Sequence, residues 1–282
     1  MLAGRAVRPA REIAEQAEAI TAGSLAARIQ AHADTTEYER LVAVLNGMLE
    51  RLDSAFAAQQ RFVADAGHEI RHPVAVLRAA LELALRRERS PEEYRRAIED
   101  AAGQADRIGV LAEGLLTLAR ADAGVLRPER TRQDLGELAR SAARRFDTVA
   151  ANRGITLTVR AAPVLASVDV ELVDRVLDNL LDNALKFTPA GGVVEVVVER
   201  DGGHAFVHVA DTGPGVPVEY RSRLFERFFR ADASRSPEGG AGLGLAIAKG
   251  IAEAHGGDVL YQPREPTGSC FTLRLPLSWI PV

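Results

Sequence analysis

The chain has 282 residues, 47% apolar and 26% charged; this composition excludes a disordered protein, and the length favours about two domains. Its formal net charge of −4 at pH 7 shows no sign of a basic surface, so no nucleic-acid partner is expected. The single cysteine, Cys270, excludes an intramolecular disulfide. Because no run approaches the ~20 apolar residues that cross a bilayer and no apolar leader opens the chain, the sequence as given predicts a soluble, cytoplasmic protein.

Residues 1–55 are predicted to form two helices around a connector. Pro9 suits a helix start, and apolar residues follow it at helical spacing. The pattern breaks at residues 22–25, and a second helix is predicted to begin near Glu37.

A heptad seam continues from this second helix. Positions spaced alternately by four and three from Leu45 to Leu77 are apolar except at Gln59. Pro91 suits the first position of another helix, in which the same spacing repeats over residues 94–119. Two antiparallel helices cannot bury matching seams alone, so the pattern predicts a dimeric four-helix bundle and hence a homodimer.

Residues 124–133 contain Gly, Pro and charged residues and are predicted to be a linker. The residue pattern changes after this stretch. Beyond it we expect a helix over residues 134–151 and strands over 155–160, 192–200 and 205–210. Helices interleaved with strands indicate a layered α/β or α+β domain.

The segment FVADAGHEIRHP (62–73) contains the pattern H-E-x-x-H, which in zinc peptidases places two histidines on one helix face. Pro73 disfavours helical geometry at His72, and no motif supplies a third ligand, so the zinc alternative is disfavoured. If Ile70 is a seam position, His68 lies at the outermost point of the helix. Its imidazole, with an ordinary pKa of about 6.5, is then a largely neutral nucleophile at pH 7, and Glu69 is the adjacent candidate base.

Three later segments contain residues suited to one nucleotide site: DNLLDNALKFTP (178–189), DTGPGVP (211–217) and GAGLGLAIAKGIAEAHGG (240–257). Asn179 and Asn183 are four apart on one helix face, so both can reach one Mg²⁺–phosphate cluster. Asp211 follows a predicted strand and can accept a hydrogen bond from an exocyclic amine. The glycines of the third segment open a helix whose N–H groups can face phosphate.

The order and spacing of these segments resemble the ATP-binding domain of bacterial sensor histidine kinases of two-component systems, and residues 62–73 resemble the phospho-acceptor box of that family. Residues 1–55, through Pro9, Gly23-x-Leu25, Glu37 and Asn46, more weakly resemble a HAMP relay module. The resemblance implies a multidomain fold of α plus α/β type. It would comprise a HAMP-like segment (1–55), a dimerisation and phosphotransfer hairpin (56–123), a linker (124–133) and a Bergerat-type α/β-sandwich ATP-binding domain (134–279).

The resemblance also implies a reaction. His68 would be phosphorylated from ATP and Mg²⁺ with help from Glu69, and the phosphoryl group would pass to an aspartate in the receiver domain of a response regulator. Asn183 would hold the Mg²⁺, and residues 231–240 would form a lid over ATP. The ATP-binding set implied by the family is Asn179, Asn183, Lys186, Asp211, Gly213, Gly215, Phe225, Arg230, Gly240, Gly242, Leu243 and Gly244.

Two positions bear on the kind of activity. Related gyrase-like ATPases carry a water-activating Glu where this chain has Asn179, which argues for transfer over hydrolysis. His72 occupies the position, usually Thr or Asn, that orients water for dephosphorylating the regulator. An ATP-binding signalling scaffold without kinase activity is the alternative from another class. Full-length relatives are expected at the cytoplasmic face of the inner membrane, held there by an upstream segment.

Overall fold

The computed structural model describes residues 2–21, 24, 26–30, 36–86, 90–230 and 241–277, with side chains from residue 11 onward. It divides into two compact units, residues 1–71 and 72–282. Gly23, Leu25, Gly240 and the predicted lid at 231–240 lie outside the described residues.

In the first unit, helix α1 (Leu2–Ala19) is followed by the connector and by helix α2 (Thr36–Leu85), which continues beyond the unit. Asn46 of α2 binds the connector at both polar groups of Ile29: its Oδ1 accepts from the Ile29 N–H at 2.9 Å, and its Nδ2 donates to the Ile29 carbonyl at 3.1 Å. Gln16 of α1 makes the equivalent pair of bonds to Gln30, at 2.8 and 2.9 Å. Two amide side chains therefore satisfy connector backbone that belongs to no helix or strand.

Helix α2 runs without interruption through Pro73. The prediction that this proline disfavours helical geometry at His72 is therefore wrong. Proline removes only the N–H that would bond to the carbonyl of Glu69, and the bonds of the neighbouring turns keep the helix continuous. Backbone geometry consequently does not count against a zinc site at this segment.

Helix α3 (Pro91–Asp122) begins as predicted, with Pro91 in its first turn. Ser90 is the N-cap, and its hydroxyl accepts from the Glu93 N–H at 3.2 Å, while a Glu93 carboxylate oxygen accepts from the Ser90 N–H at 2.9 Å. This reciprocal capping box satisfies two backbone donors and fixes where α3 starts.

The rest of the second unit contains a five-stranded sheet in the order β2-β4-β5-β7-β6, in which β2 and β4 are parallel and the other neighbours antiparallel. Its strands are β2 (Thr156–Ala161), β4 (Val193–Asp201), β5 (His204–Asp211), β6 (Asp258–Pro263) and β7 (Ser269–Pro276). A separate pair joins β1 (Thr131–Asp134) to β3 (Leu165–Val168). Strand β1 thus begins inside the stretch predicted to be a linker.

Helices α4 (Leu135–Asn152), α5 (Val170–Phe187) and α6 (Gly244–Ala254) pack on the sheet. Alternate residues of the central strands are buried, among them Val194, Val196, Val207, Val209 and Phe271. The predicted α/β sandwich is confirmed. No helix in the described ranges is both long and apolar enough to span a membrane.

The last turns of α3 pack closely against α5 and α6. A Cβ at Gly114 would lie 2.9 Å from Ile247 Cδ1, and one at Gly250 would lie 3.2 Å from the Ala121 Cβ. Arg175 of α5 donates to the Thr117 hydroxyl at 3.0 Å. Small residues thus allow α3 to approach the two helices that carry Asn179, Asn183, Lys186 and Gly244 of the predicted nucleotide set.

Candidate functional site

Helix α5 is anchored by one buried face and exposes part of the other. Asp169 is its N-cap, and a carboxylate oxygen of Asp169 accepts from the Leu172 N–H. The predicted residues Asn179, Asn183 and Lys186 remain half-buried on this helix. The residues that face the core are Val173, Val176, Leu177, Leu180, Leu181, Ala184 and Leu185.

Asn179 lies directly against the start of α6. A Cβ at Gly244 would be 2.9 Å from the Asn179 Oδ1 atom, so only glycine leaves this approach free. Leu243, which is buried, precedes α6 as its N-cap residue and provides no side-chain cap. The first N–H groups of α6 therefore lie beside Asn179 without a side-chain acceptor at the cap, an arrangement suited to phosphate.

Gly242 joins the start of α6 to residues 224–230, here called the Phe-rich segment because Phe225, Phe228 and Phe229 lie in it. It has a φ of 71°, and a Cβ there would lie 2.8 Å from the Phe228 carbonyl carbon. Phe228 itself has a φ of 58°, which is rare for a bulky residue. Residues 224–230 form turns after a short 3₁₀ helix (Val218–Arg223). The left-handed Phe228 was missed because nothing in its local sequence requires it.

Phe225 of the same segment lies near α6, where the Lys249 Nζ atom is 5.0 Å from the ring centroid. This contact connects the Phe-rich segment with α6 a turn after the glycines.

Lys186, at the end of α5, lies among other cations. Burial lowers its pKa, and the charges of Arg230 and Arg153 lower it further, while Asp182 opposes them. Arg153 also donates to the Leu185 carbonyl at 3.2 Å. A group of positive charges at the end of α5 favours a polyphosphate. Arg230 was predicted from sequence; Arg153 follows α4 and had no sequence signal.

Asp211 ends β5 and is only 3% exposed. Its Oδ1 atom accepts from the Gly213 N–H at 2.8 Å and from the Ser269 N–H at 3.2 Å. Burial is the main influence on the carboxyl and raises its pKa, against these hydrogen bonds. The Ser269 side chain also hydrogen-bonds to the carboxyl group. A carboxylate has about four lone-pair positions, so Asp211 can still accept a hydrogen bond from a ligand.

The loop after Asp211 packs against the end of α5. A Cβ at Gly213 would lie 2.7 Å from the Phe187 carbonyl oxygen, and Gly215 has a φ of 73° and lies against the backbone of Gly268. Two glycines therefore allow this loop its close approach. Gly268 and Ser269 both contact the Asp211 region and are absent from the ATP-binding set implied by the family.

His68 lies on the first unit, where its side chain is exposed, as the heptad register predicts. Its Nδ1 atom lies 3.3 Å from the Arg71 guanidinium, which can only donate, so Nδ1 accepts and the ring proton is on Nε2. The His68 Nδ1 atom therefore has Arg71 as its partner, whereas Glu69 was expected to be the adjacent base. His72 is exposed.

The second histidine of the H-E-x-x-H pattern does not become part of a metal cluster in the structure. Within the ranges that are described, no group of three His, Cys, Asp or Glu side chains is arranged to hold a metal ion.

The segments of the second unit thus define a nucleotide-binding sandwich, with Asn179, Gly244, Asp211 and Lys186 on adjoining elements. Residues 168–278 match the family described as "Histidine kinase-, DNA gyrase B-, and HSP90-like ATPase". Residues 58–124 match the "His Kinase A (phospho-acceptor) domain" and residues 1–54 the "HAMP domain".

The chain is 38% identical over 279 residues to the sensor protein CutS of Streptomyces coelicolor, an alignment covering 98% of this chain and 67% of CutS. It is 34% identical over 271 residues to the sensor histidine kinase CusS of Escherichia coli strain K12, covering 95% of this chain and 56% of CusS. The full-length structure of ShkA in complex with AMPPNP has a TM-score of 0.60 and 26% identity, covering 79% of this chain and 47% of ShkA.

The chain belongs to the sensor histidine kinases of two-component systems, which are ATP-dependent protein-histidine kinases. It spans between a half and two thirds of the length of these curated relatives.

Proposed function

We propose that this chain transfers the γ-phosphoryl group of ATP to His68 and then to an aspartate in the receiver domain of a response regulator. The observation that carries the proposal is the packing of Asn179 against Gly244, with the uncapped start of α6 beside it. Phosphoryl transfer depends mainly on positioning and charge stabilisation, and this junction offers both to a triphosphate.

The triphosphate is bound by fixed groups of this chain. N–H groups at the start of α6 donate to phosphate oxygens, and Lys186 and Arg230 balance the negative charge. Asn183, an oxygen ligand of the kind that Mg²⁺ accepts, would hold the ion. When bound, Mg²⁺ neutralises phosphate charge. Asp211 accepts a hydrogen bond from the adenine amine.

The acceptor step needs a free lone pair on His68. Attack by Nε2 on the γ-phosphorus forms the N–P bond while the bond to the bridging oxygen breaks and ADP leaves with the electron pair. The ring proton must then lie on Nδ1, so Arg71 has to leave that atom. Glu69 can take its place and accept the Nδ1 proton as the N–P bond forms and the ring becomes positively charged. Asn179 at the position of the hydrolytic Glu of gyrase-like ATPases supports transfer over hydrolysis. His72 is the residue proposed to orient water in removing the phosphoryl group from the regulator.

The proposed kinase is a homodimer that works in the cytoplasm, where ATP is available. Apolar residues of the α2 and α3 seams remain exposed in the single chain: Leu52 by 54%, Val63 by 63% and Ile98 by 64%. A second copy supplies the matching seam that would cover them.

Replacing Ile98 by Glu is expected to weaken the dimer by about tenfold or more, because a charge would have to be buried in the seam. Val110→Glu is the matched control, since Val110 is 70% exposed on the same helix but off the seam. Sedimentation equilibrium measures both. Equal dimerisation of the two variants would contradict the four-helix bundle.

His68→Gln tests the acceptor. With [γ-³²P]ATP and Mg²⁺, the wild type should acquire label that is lost in acid and stable in alkali, and the variant should acquire none. His204→Gln, at an exposed position on β5, is the matched control and should be labelled like the wild type. Label that persists in His68→Gln would identify another acceptor. ATP binding without any label would favour the signalling scaffold.

A further inference from the structure

A buried histidine joins the end of α6 to the start of α5. His255 is 1% exposed and lies one residue beyond α6. Its Nδ1 atom is 2.8 Å from the Ile251 carbonyl oxygen, and its Nε2 atom is 3.1 Å from the backbone nitrogen of Asp169, the N-cap of α5. The first contact lies within α6, and the second connects the two helices.

These two partners determine the tautomer and the protonation state of the His255 ring. A carbonyl oxygen only accepts, so Nδ1 carries the proton; a backbone N–H only donates, so Nε2 presents its lone pair. Both bonds therefore require neutral His255. A second proton on Nε2 would face the Asp169 N–H with no acceptor between them.

The same junction also holds the chain that enters the domain. One carboxylate oxygen of Asp169 accepts from the Leu172 N–H, and the other accepts from the Glu129 N–H at 2.8 Å. Arg130 donates to the Ala254 carbonyl at 2.9 Å. His255 is thus enclosed by bonded groups from α5, α6 and residues 129–130.

The junction lies at one end of an antiparallel helix pair whose other contact is in the nucleotide site. Asn179 lies ten residues after Asp169, and Gly244 eleven residues before His255. At 1.5 Å per residue the two contacts are about 15 Å apart. Two contacts so separated fix both the spacing and the angle of α5 and α6.

We propose that His255 is a positioning residue for ATP: through its bond to the Asp169 N–H it holds α6 against α5, and so sets the gap between Asn179 and the N–H groups that begin α6. This inference rests on the proposed function only in that the gap binds ATP. It does not depend on phosphorylation of His68.

The hydrogen bond between the Asp169 N–H and His255 is sensitive to pH. The charged groups that face His255 are Arg130, from the segment entering the domain, and Asp169, from α5. Burial, the largest influence, lowers the pKa of His255, Arg130 lowers it further, and Asp169 and the bond to Ile251 oppose them. The ring therefore stays neutral somewhat below the ordinary imidazole pKa of about 6.5, and the bond is lost as the pH falls through the lower, folded value.

Two substitutions separate the two bonds of the ring. Gln places an oxygen near the Nε2 position and can accept from Asp169, whereas Asn places its amide near Nδ1 and can serve only Ile251. His204→Gln, at the exposed start of β5, is the matched control. For the whole chain with Mg²⁺ at pH 8, the Kd for ATP should rise about tenfold in His255→Asn and stay within about threefold in His255→Gln. Calorimetry measures Kd, and thermal unfolding is recorded for each variant.

Equal weakening of ATP binding by Asn and Gln, in step with a common fall in Tm, would overturn the proposal in favour of a purely structural histidine. The pH dependence gives an independent test that needs only the Gln variant. Because ATP itself titrates, the ratio of wild-type to His255→Gln Kd is followed from pH 8 down to the onset of acid unfolding. The ratio should rise as the pH falls through the lowered pKa of His255; a ratio that stays constant over this whole range would overturn the proposal.

Failure of the proposed kinase function can be distinguished from failure of the proposed role of His255. Wild type that binds ATP but forms no phosphohistidine would contradict the kinase and leave these binding measurements valid. Wild type that binds no ATP would overturn the inference as well.

Discussion

Asp211→Asn is expected to lower the affinity for ATP by about a hundredfold while leaving the protein folded. The Asp211 Oδ1 atom accepts from the Gly213 and Ser269 N–H groups at 2.8 and 3.2 Å. An Asn side chain must place its own oxygen there, because an NH₂ group would face two donors. Its NH₂ group then takes the position of the Oδ2 atom and would face the adenine amine, donor against donor.

The same reasoning predicts a change of base preference. Guanine has a carbonyl oxygen where adenine has its amine, so the ratio of GTP to ATP affinity should rise in Asp211→Asn. Calorimetry with each nucleotide gives the two values, and Asp201→Asn, at an exposed aspartate ending β4, is the matched control. An unchanged Kd for ATP in the folded Asp211→Asn variant would mean that this carboxylate does not contact adenine.

Local sequence patterns predicted the elements well because their causes are local. The alternation of apolar and polar residues predicted β5 to within one residue of each end, and Pro91 predicted the start of α3. Part of the heptad seam, including Leu52, Val63 and Ile98, remains exposed in the single chain, and in the proposed homodimer a second copy would cover it. The family resemblance, rather than periodicity, supplied most of the candidate nucleotide residues.

Contacts between distant segments were not predictable in this way. Arg153 reaches the end of α5 from a turn after α4, and His255 meets Asp169 across 86 residues of sequence. The positive φ of Phe228 depends on the approach of Gly242, not on the sequence around Phe228. At Pro73 the local sequence misled the prediction. The preference of proline against helical geometry at the preceding residue was outweighed by the hydrogen bonds of a 50-residue helix.

Gly244→Ala tests the junction on which the proposed function depends. The added methyl group would lie 2.9 Å from the Asn179 Oδ1 atom, closer than a carbon and an oxygen normally approach, so Asn179 or the start of α6 has to shift. Either shift changes the gap in which the phosphates bind, and we expect the Kd for ATP to rise by about tenfold to a hundredfold.

Stability should respond differently from binding. Alanine has a higher helix propensity than glycine, which offsets part of the strain, so the change in Tm should be small. In Gly203→Ala, the matched control, the new Cβ has nothing within 4 Å, and neither Tm nor ATP affinity should change appreciably. A Gly244→Ala variant that bound ATP like the wild type would show that Asn179 can move aside freely. The contact with Gly244 would then not be what positions the phosphates, and Asn183 and Lys186 would have to do so without it.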